Sequence, residues 1–198
     1  MQQIIAEAGW PIWPLLLISV IALAIIFERL LALRQSRVCP SSVAAEAQRL
    51  QRGNAINSDA LTKLSYASLS GRVFATILSS QRQPVDEIRR RAEETGADVA
   101  HEMQRFLPAL AMIATIAPLM GLFGTVVGMI EIFAAYQPGG TDPGQLARGI
   151  SIALYNTGFG ILIAVPAAIA HRLLKVHVNN LLLKIEQAAR VLIQQIYP

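Results

Sequence analysis

The amino-acid sequence predicts an all-α integral membrane protein with three transmembrane helices, the second and third extended into long cytoplasmic helices. Two observations lead to this fold class. The 198 residues contain three long apolar runs, and apolar residues make up 54% of the chain. Charged residues make up only 15%, against roughly 25% in an average soluble domain. With a mean hydropathy of +0.46, this composition excludes a disordered chain and argues against a soluble globular protein.

A helix needs roughly 20 apolar residues to cross a bilayer, and each apolar run is interpreted as one such helix. We expect the first transmembrane helix at residues 12–33, where Trp10 and Trp13 suit the membrane interface. The second is expected at residues 106–136, with Glu131 as its only charge, and the third at residues 149–170, which carry none. No basic residue precedes the first run and no small-residue cleavage site follows it, so it is interpreted as an uncleaved anchor.

The basic residues predict the orientation of the chain. Twelve of the 17 Lys and Arg residues lie within residues 28–105 and four lie after residue 171, whereas the N-terminus has none. The positive-inside rule therefore places the loop 34–105 and the tail 171–198 in the cytoplasm. Residues 1–11 and the loop 137–148 then lie outside, and the sequences PGG at 138–140 and DPG at 142–144 mark an external turn.

The cytoplasmic segments are predicted to be helical. Residues 85–105 are rich in Glu, Arg and Ala, and if they continue into the second span they form one helix of about 50 residues. In the tail, apolar residues three and four positions apart predict an amphipathic helix over residues 181–196. Breaks at residues 40–42 and 53–59 divide the remaining loop into shorter helices. The apolar face of the tail consists of Leu182, Ile185, Ala189, Leu192 and Ile196.

Small residues are concentrated in the second and third spans, where they allow helix backbones to approach closely. We predict that they are helix-packing positions around partner helices, which enter a cavity lined by these faces. Packing among the three helices of one chain is the alternative. The positions are Gly121, Gly124, Gly128, Gly160 and Ala164.

Four polar residues within the spans are candidate ion-pathway residues: Thr125, Thr157, Asn156 and Glu131. Thr125 and Thr157 are predicted to lie at matching depth in antiparallel helices, where a cavity would let their hydroxyls bond a water, a cation or a partner carboxyl. Asn156 needs a hydrogen-bond partner in lipid. Glu131 is an intramembrane acid, but it lies near the outer end of its span, where an exposed or paired position is the alternative. Because no acid lies at mid-depth, a proton path needs a carboxyl from a partner subunit.

Neither a cofactor nor a metal site is predicted, and no enzyme activity is expected. The single cysteine, Cys39, excludes a disulfide framework and a cysteine metal cluster. No nucleophile–base pair lies at membrane depth, because the histidines lie at or beyond the cytoplasmic edges of the spans. A net charge of +4 in so apolar a chain suits an anionic membrane surface better than nucleic acid.

Two sequence blocks resemble the MotA/TolQ/ExbB proton-channel family. Residues 117–130 (APLMGLFGTVVGMI) are similar to the family pattern APLxGLxGTVxGM, and residues 149–167 (GISIALYNTGFGILIAVPA) to a second family stretch. The opening, residues 9–30, resembles the first span of short ExbB-type members. Three spans with the large loop between the first two favour the ExbB and TolQ branches over four-span MotA subunits.

This resemblance implies a homopentamer in the bacterial inner membrane, with a periplasmic N-terminus and a cytoplasmic C-terminus. The ring would surround a dimer of single-span ExbD/TolR-like partners, each of which supplies a membrane aspartate. The resemblance also implies that Thr125 and Thr157 line the pore. Ile152 replaces a Glu that is common in ExbB-like members.

The expected function is that of a proton-channel motor subunit, which uses proton motive force to energise TonB-dependent uptake across the outer membrane. A TolQ-like subunit of the Tol-Pal envelope system, acting on a TolA-like protein, is one alternative. A structural membrane scaffold is another. The sequence leaves open whether the ion is a proton or sodium.

Overall fold

The computed structural model describes residues 9–53, 56–134 and 143–197, except for the side chain of Gln145. The regular secondary structure of these residues is entirely α-helical, which confirms the predicted all-α class for this part of the chain. In chain order the helices are α1 (Ile12–Ala32), α2 (Gln35–Val38), α3 (Ser41–Arg52), α4 (Ser58–Ala67), α5 (Leu69–Ser79), α6 (Val85–Gln104), α7 (Leu107–Ala134) and α8 (Pro143–Ile196).

The chain divides into two compact units. Unit 1 consists of Met1–Glu28 and Phe106–Leu173, and unit 2 consists of Arg29–Arg105 and Leu174–Pro198. Helices α1 and α8 therefore contribute residues to both units. Three stretches are long and apolar enough to cross a membrane: Ile12–Ala32, Val85–Ala134 and Leu146–Ile196. Each of them overlaps one predicted span, and the bounds of the spans and the membrane orientation stay predictions.

A two-residue turn interrupts the single helix that the sequence predicted across residues 85–136. Helix α6 ends at Gln104 and α7 begins at Leu107. The physical reason is Pro108, which has no N–H to donate to the carbonyl of Gln104 and whose ring crowds that carbonyl. At the end of α6 the backbone N–H of Arg105 donates to the carbonyl of Glu102, three residues earlier, at 3.3 Å. The last two residues of the predicted span, 135 and 136, lie outside the described residues.

Helix α8 begins at Pro143, earlier than the Gly149 that the sequence predicted, and continues for 54 residues. Proline favours the first position of a helix, because its fixed φ suits that position and no hydrogen-bond donor is needed there. Pro143 and Gly144 therefore belong to a helix rather than to the predicted external turn, and the rest of that turn lies outside the described residues. The predicted tail helix, residues 181–196, is the C-terminal part of α8.

Unit 2 has an apolar core of the kind found in water-soluble helical proteins. Helix α5 contributes Phe74, Ile77 and Leu78, each no more than 1% exposed. The tail of α8 buries three residues of its predicted apolar face, Ile185, Ala189 and Leu192, and leaves the other two half-buried. The loop is divided near both predicted breaks, but the breaks are shorter than predicted, because Ser41 and Ser42 lie in α3 and Ser58 and Asp59 begin α4.

Candidate functional site

Helix α7 presents a strip of glycines to α8 within unit 1. A Cβ atom added at Gly121 would lie 2.8 Å from the carbonyl oxygen of Asn156. One added at Gly128 would lie 2.6 Å from the carbonyl oxygen of Gly149, and one added at Gly124 would overlap the Cβ atom of Asn156. All three glycines are buried. Only glycine at these positions lets the two backbones approach this closely.

The contact is reciprocal, because α8 also presents small residues to α7. A Cβ atom at Gly160 would lie 2.7 Å from the carbonyl oxygen of Ala117. Gly149 was not among the predicted packing positions, but it is as tightly placed. A Cβ atom added there would lie 2.9 Å from the carbonyl oxygen of Gly128. Gly158 faces open space, and Ala164 is 6% exposed. The structure thus shows packing within one chain, and a further role around partner helices stays a prediction.

The hydroxyls of Thr157 and Thr125 bond adjacent carbonyl groups of α7. The Thr157 hydroxyl donates to the carbonyl oxygen of Gly121 across the helix pair at 3.4 Å. In a regular helix that carbonyl also accepts the N–H of Thr125, four residues later. The Thr125 hydroxyl donates to the carbonyl of Leu122 at 2.6 Å. Both side chains are half-buried, and only the Thr157 hydroxyl bonds across the helix pair.

Asn156 fills the space that Gly124 leaves open. Its side chain is fully buried, and its Nδ2 atom donates to the carbonyl oxygen of Ile152 at 2.8 Å. This bond supplies a partner of the kind that an amide needs in an apolar surrounding. Asn156 therefore lies in the helix contact itself, and its predicted part in an ion pathway stays a prediction.

Glu131 is not brought together with the threonines. It follows Thr125 by six positions along α7, which corresponds to roughly 9 Å of helical rise, and its side chain is exposed. Among the described residues, no group of three or more His, Cys, Asp or Glu side chains is arranged to hold a metal ion. The polar groups described at the α7–α8 contact are the hydroxyl of Thr157, the amide of Asn156 and backbone carbonyls.

The two residues Gly9 and Trp10, which precede α1, make aromatic and apolar contacts in unit 1 that sequence reasoning did not foresee. The Trp10 ring meets Phe123 of α7 edge-on, with the ring centroids 5.9 Å apart. Gly9 has a positive φ of 71°, which suits glycine, and a Cβ atom there would lie 3.6 Å from the Cδ1 atom of Ile152. Ile152 is 1% exposed, so an apolar contact occupies the position where the family resemblance would place an acid.

Comparisons with known proteins agree with this architecture. Residues 61–187 match the model of the MotA/TolQ/ExbB proton channel family. The biopolymer transport protein exbB1 of Vibrio cholerae serotype O1 is 31% identical over 193 residues, 94% of this chain and 84% of that protein.

Two further relatives are an ExbB-like protein and a TolQ protein. The putative biopolymer transport protein ExbB-like 1 of Synechocystis sp. is 31% identical over 178 residues, 85% of this chain and 68% of that protein. The Tol-Pal system protein TolQ of Haemophilus influenzae is 37% identical over 78 residues, 39% of this chain and 34% of that protein. With three helices long and apolar enough to span a bilayer, this chain belongs to the MotA/TolQ/ExbB proton channel family.

Proposed function

We propose that this chain is the ring subunit of an ExbB-type motor in the bacterial inner membrane. Five copies surround a dimer of single-span ExbD-like partners, with the N-terminus in the periplasm and the C-terminus in the cytoplasm. Proton motive force acts through the partner on a TonB-like protein and energises uptake across the outer membrane. Support comes from family membership and from the similarity to an exbB1 protein over 94% of this chain.

The observation that carries the proposal is that the Thr157 hydroxyl bonds the Gly121 carbonyl across the α7–α8 contact and the Thr125 hydroxyl bonds the next carbonyl of α7, that of Leu122. Residues 106–130 and 149–170 contain no acidic or basic residue, so the only hydrogen-bonding groups at that level of α7 and α8 are uncharged. Hydroxyls relay or stabilise a proton but do not carry it between two charge states. A carboxyl on a partner helix therefore completes the path, in keeping with the expense and functional role of intramembrane acids.

The outer surface of unit 1 supports an assembly. Large apolar side chains are exposed along both helices, among them Leu122, Val126 and Leu154. Apolar patches of this extent need lipid or protein to cover them. A ring of copies around a partner helix covers one part of this surface, and the bilayer covers the remainder.

The test replaces both hydroxyls with methyl groups of the same shape, Thr125→Val with Thr157→Val, in cells whose only copy is the variant. The control is Thr115→Val, which removes a comparable hydroxyl–carbonyl bond (Thr115 to Ala111, 3.1 Å) from the same helix. Growth on scarce iron is measured with the protein level checked by blotting. We expect the double variant to accumulate but fail to grow, and the control to grow normally. Normal growth of the double variant removes the proposed iron-uptake role for these hydroxyls.

A TolQ-like role in the envelope is a second candidate, favoured by the similarity to TolQ of Haemophilus influenzae. The same strains are therefore also tested for resistance to detergent. Detergent sensitivity with normal growth on scarce iron assigns the hydroxyls to a Tol-type machine. If both phenotypes are normal, a structural scaffold is the better description.

A further inference from the structure

A basic cavity of about 710 Å³ lies in unit 2, at the end of α1. Helix α1 is apolar from Ile12 to Phe27, and Arg29 follows two residues later. Arg29 lines the cavity together with Arg37 and Arg72, whereas the lining contains a single acid, Glu102. The charged groups of the lining therefore carry a net charge of +2, from three arginines and one glutamate.

Two of the arginines are held in place by Glu102. Arg29 is 7% exposed, and its Nη1 atom lies 3.4 Å from the carbonyl oxygens of Glu102 and Met103. The Nη2 atom of Arg72 lies 2.8 Å from the Oε2 atom of the Glu102 carboxylate. Arg29 and Arg72 thus meet at the same residue of α6, which orients both before any ligand arrives.

The third arginine is available to a ligand. Arg37 is exposed and makes no ion pair with any of the residues that the structure describes. The positive charge of Arg37 attracts anions. Its planar guanidinium group can donate two hydrogen bonds at once to the oxygens of a phosphate group. The remaining lining is amphipathic: Tyr66, 87% exposed, adds a hydroxyl, while Leu33 and Val38 form apolar wall.

We propose that this cavity binds the phosphate group of an anionic phospholipid. The phosphate lies among Arg29, Arg37 and Arg72, and the beginning of the acyl chains lies against the apolar wall. The cavity lies at the end of an apolar helix that is long enough to cross a membrane, and headgroups occur at that level. Basic residues beside membrane helices bind such headgroups. A zwitterionic lipid carries its own ammonium group, so the net charge of the lining favours an anionic headgroup. The ring, its partner and its client are not needed for this inference.

The experiment measures lipid binding to the purified full-length protein in neutral detergent. Phosphatidylglycerol and phosphatidylcholine are titrated in separate samples, and bound lipid is counted by native mass spectrometry. The test variant is Arg37→Gln with Arg72→Gln, which leaves the buried Arg29 in place. The control is Arg49→Gln with Arg82→Gln, which removes the same charge from two arginines outside the cavity lining. Thermal unfolding of each variant shows that it is folded.

We expect the wild-type protein to bind phosphatidylglycerol in preference to phosphatidylcholine. The test variant should bind phosphatidylglycerol roughly 30-fold more weakly, since each of two basic residues near a headgroup contributes about fivefold. The control should bind within about twofold of the wild type. Equal weakening in both variants would show general charge attraction, and no weakening in the test variant would show that the cavity is not the site; either result overturns the proposal.

A second arm separates the lipid from free phosphate. Glycerol phosphate is added at millimolar concentration to the wild-type protein that holds phosphatidylglycerol. We expect the lipid to stay bound, because the apolar wall contributes to lipid binding alone. If glycerol phosphate displaces the lipid and raises the unfolding temperature as much as the lipid does, the site belongs to a soluble phosphate ester and the lipid assignment is wrong.

Discussion

Both units bury large apolar side chains, but the α7–α8 contact of unit 1 consists of a different kind of residue. In unit 2 the interior holds large apolar side chains such as Phe74 and Leu78, while its described charged groups other than Arg29 are at least partly exposed. In unit 1 the α7–α8 contact holds glycines and the fully buried Asn156, while large side chains point outward; Leu122 is 57% exposed and Leu154 is 68% exposed. Each unit is therefore organised for a different surrounding.

We attribute this difference to the solvent that each unit is expected to meet, lipid for unit 1 and water for unit 2. In water, burial of apolar area drives helices together, so large side chains belong inside. In lipid that force is absent, and close backbone packing and hydrogen bonds hold helices together instead. Small and polar residues then form the specific contacts between α7 and α8 in unit 1.

The largest effect is expected from shortening a buried leucine in unit 2. Leu78→Ala removes a fully buried side chain, and such a change costs about 2–5 kcal/mol in a water-type core. Leu183→Ala is the matched control, because Leu183 is 54% exposed and its truncation should cost less than about 0.5 kcal/mol. Thermal unfolding in detergent measures both. Equal losses would mean that the exposed side of α8 is covered in solution and that unit 2 is not organised as described.

The next effect concerns the glycine contact of unit 1. Gly124→Ala would place a methyl group onto the Cβ atom of Asn156, and overpacking of this kind costs about 1–3 kcal/mol. Gly158→Ala adds the same methyl group where nothing lies within 4 Å, so it should be neutral or slightly stabilising. The two variants are compared by thermal unfolding and by their accumulation in membranes. A harmless Gly124→Ala would contradict the close approach of α7 and α8.

A smaller effect is expected at the end of the chain. The Tyr197 hydroxyl donates to the carbonyl oxygen of Gln83 at 2.7 Å and lies 3.3 Å from that of Gln81. Tyr197→Phe should therefore lower the stability of unit 2 by about 0.5–1 kcal/mol. Tyr66→Phe is the control, since Tyr66 is 87% exposed. If both variants unfold at the wild-type temperature, the tail is not held by this hydroxyl.

The smallest effect is electrostatic and lies on the surface of α6. Hydrogen bonds from Arg90 and Arg91, with their charges, lower the pKa of Glu87 from 4.5 to about 2. A lowered carboxyl pKa stabilises the folded state above the unfolded value, and that contribution is lost as the pH falls from about 4.5 towards 2. Carboxyl NMR should show the pKa of Glu87 rising when Arg90→Gln is introduced and staying in place in Arg89→Gln. An unchanged value in Arg90→Gln would refute the pairing.

Sequence reasoning reached the fold class because apolar run length and helical periodicity are local properties. It also found the glycines and the threonines, since small and polar residues stand out within an apolar run. It did not find that Asn156 fills the space above Gly124, because a contact between residues 32 positions apart depends on how two helices pack. The turn at Arg105–Phe106 was missed although its cause, Pro108, is local: proline near a helix start and proline inside a helix look alike in sequence.

The central claim is that the hydroxyls of Thr125 and Thr157 belong to a proton path that a partner carboxyl completes. The most direct measurement is proton uptake into liposomes that contain the purified chain together with its co-purified partner, followed with a pH-sensitive dye under an imposed membrane potential. We predict that Thr125→Val with Thr157→Val abolishes uptake, that Thr115→Val retains it, and that all three complexes keep the same size. Wild-type uptake in the double variant, with the complex intact, would contradict the claim.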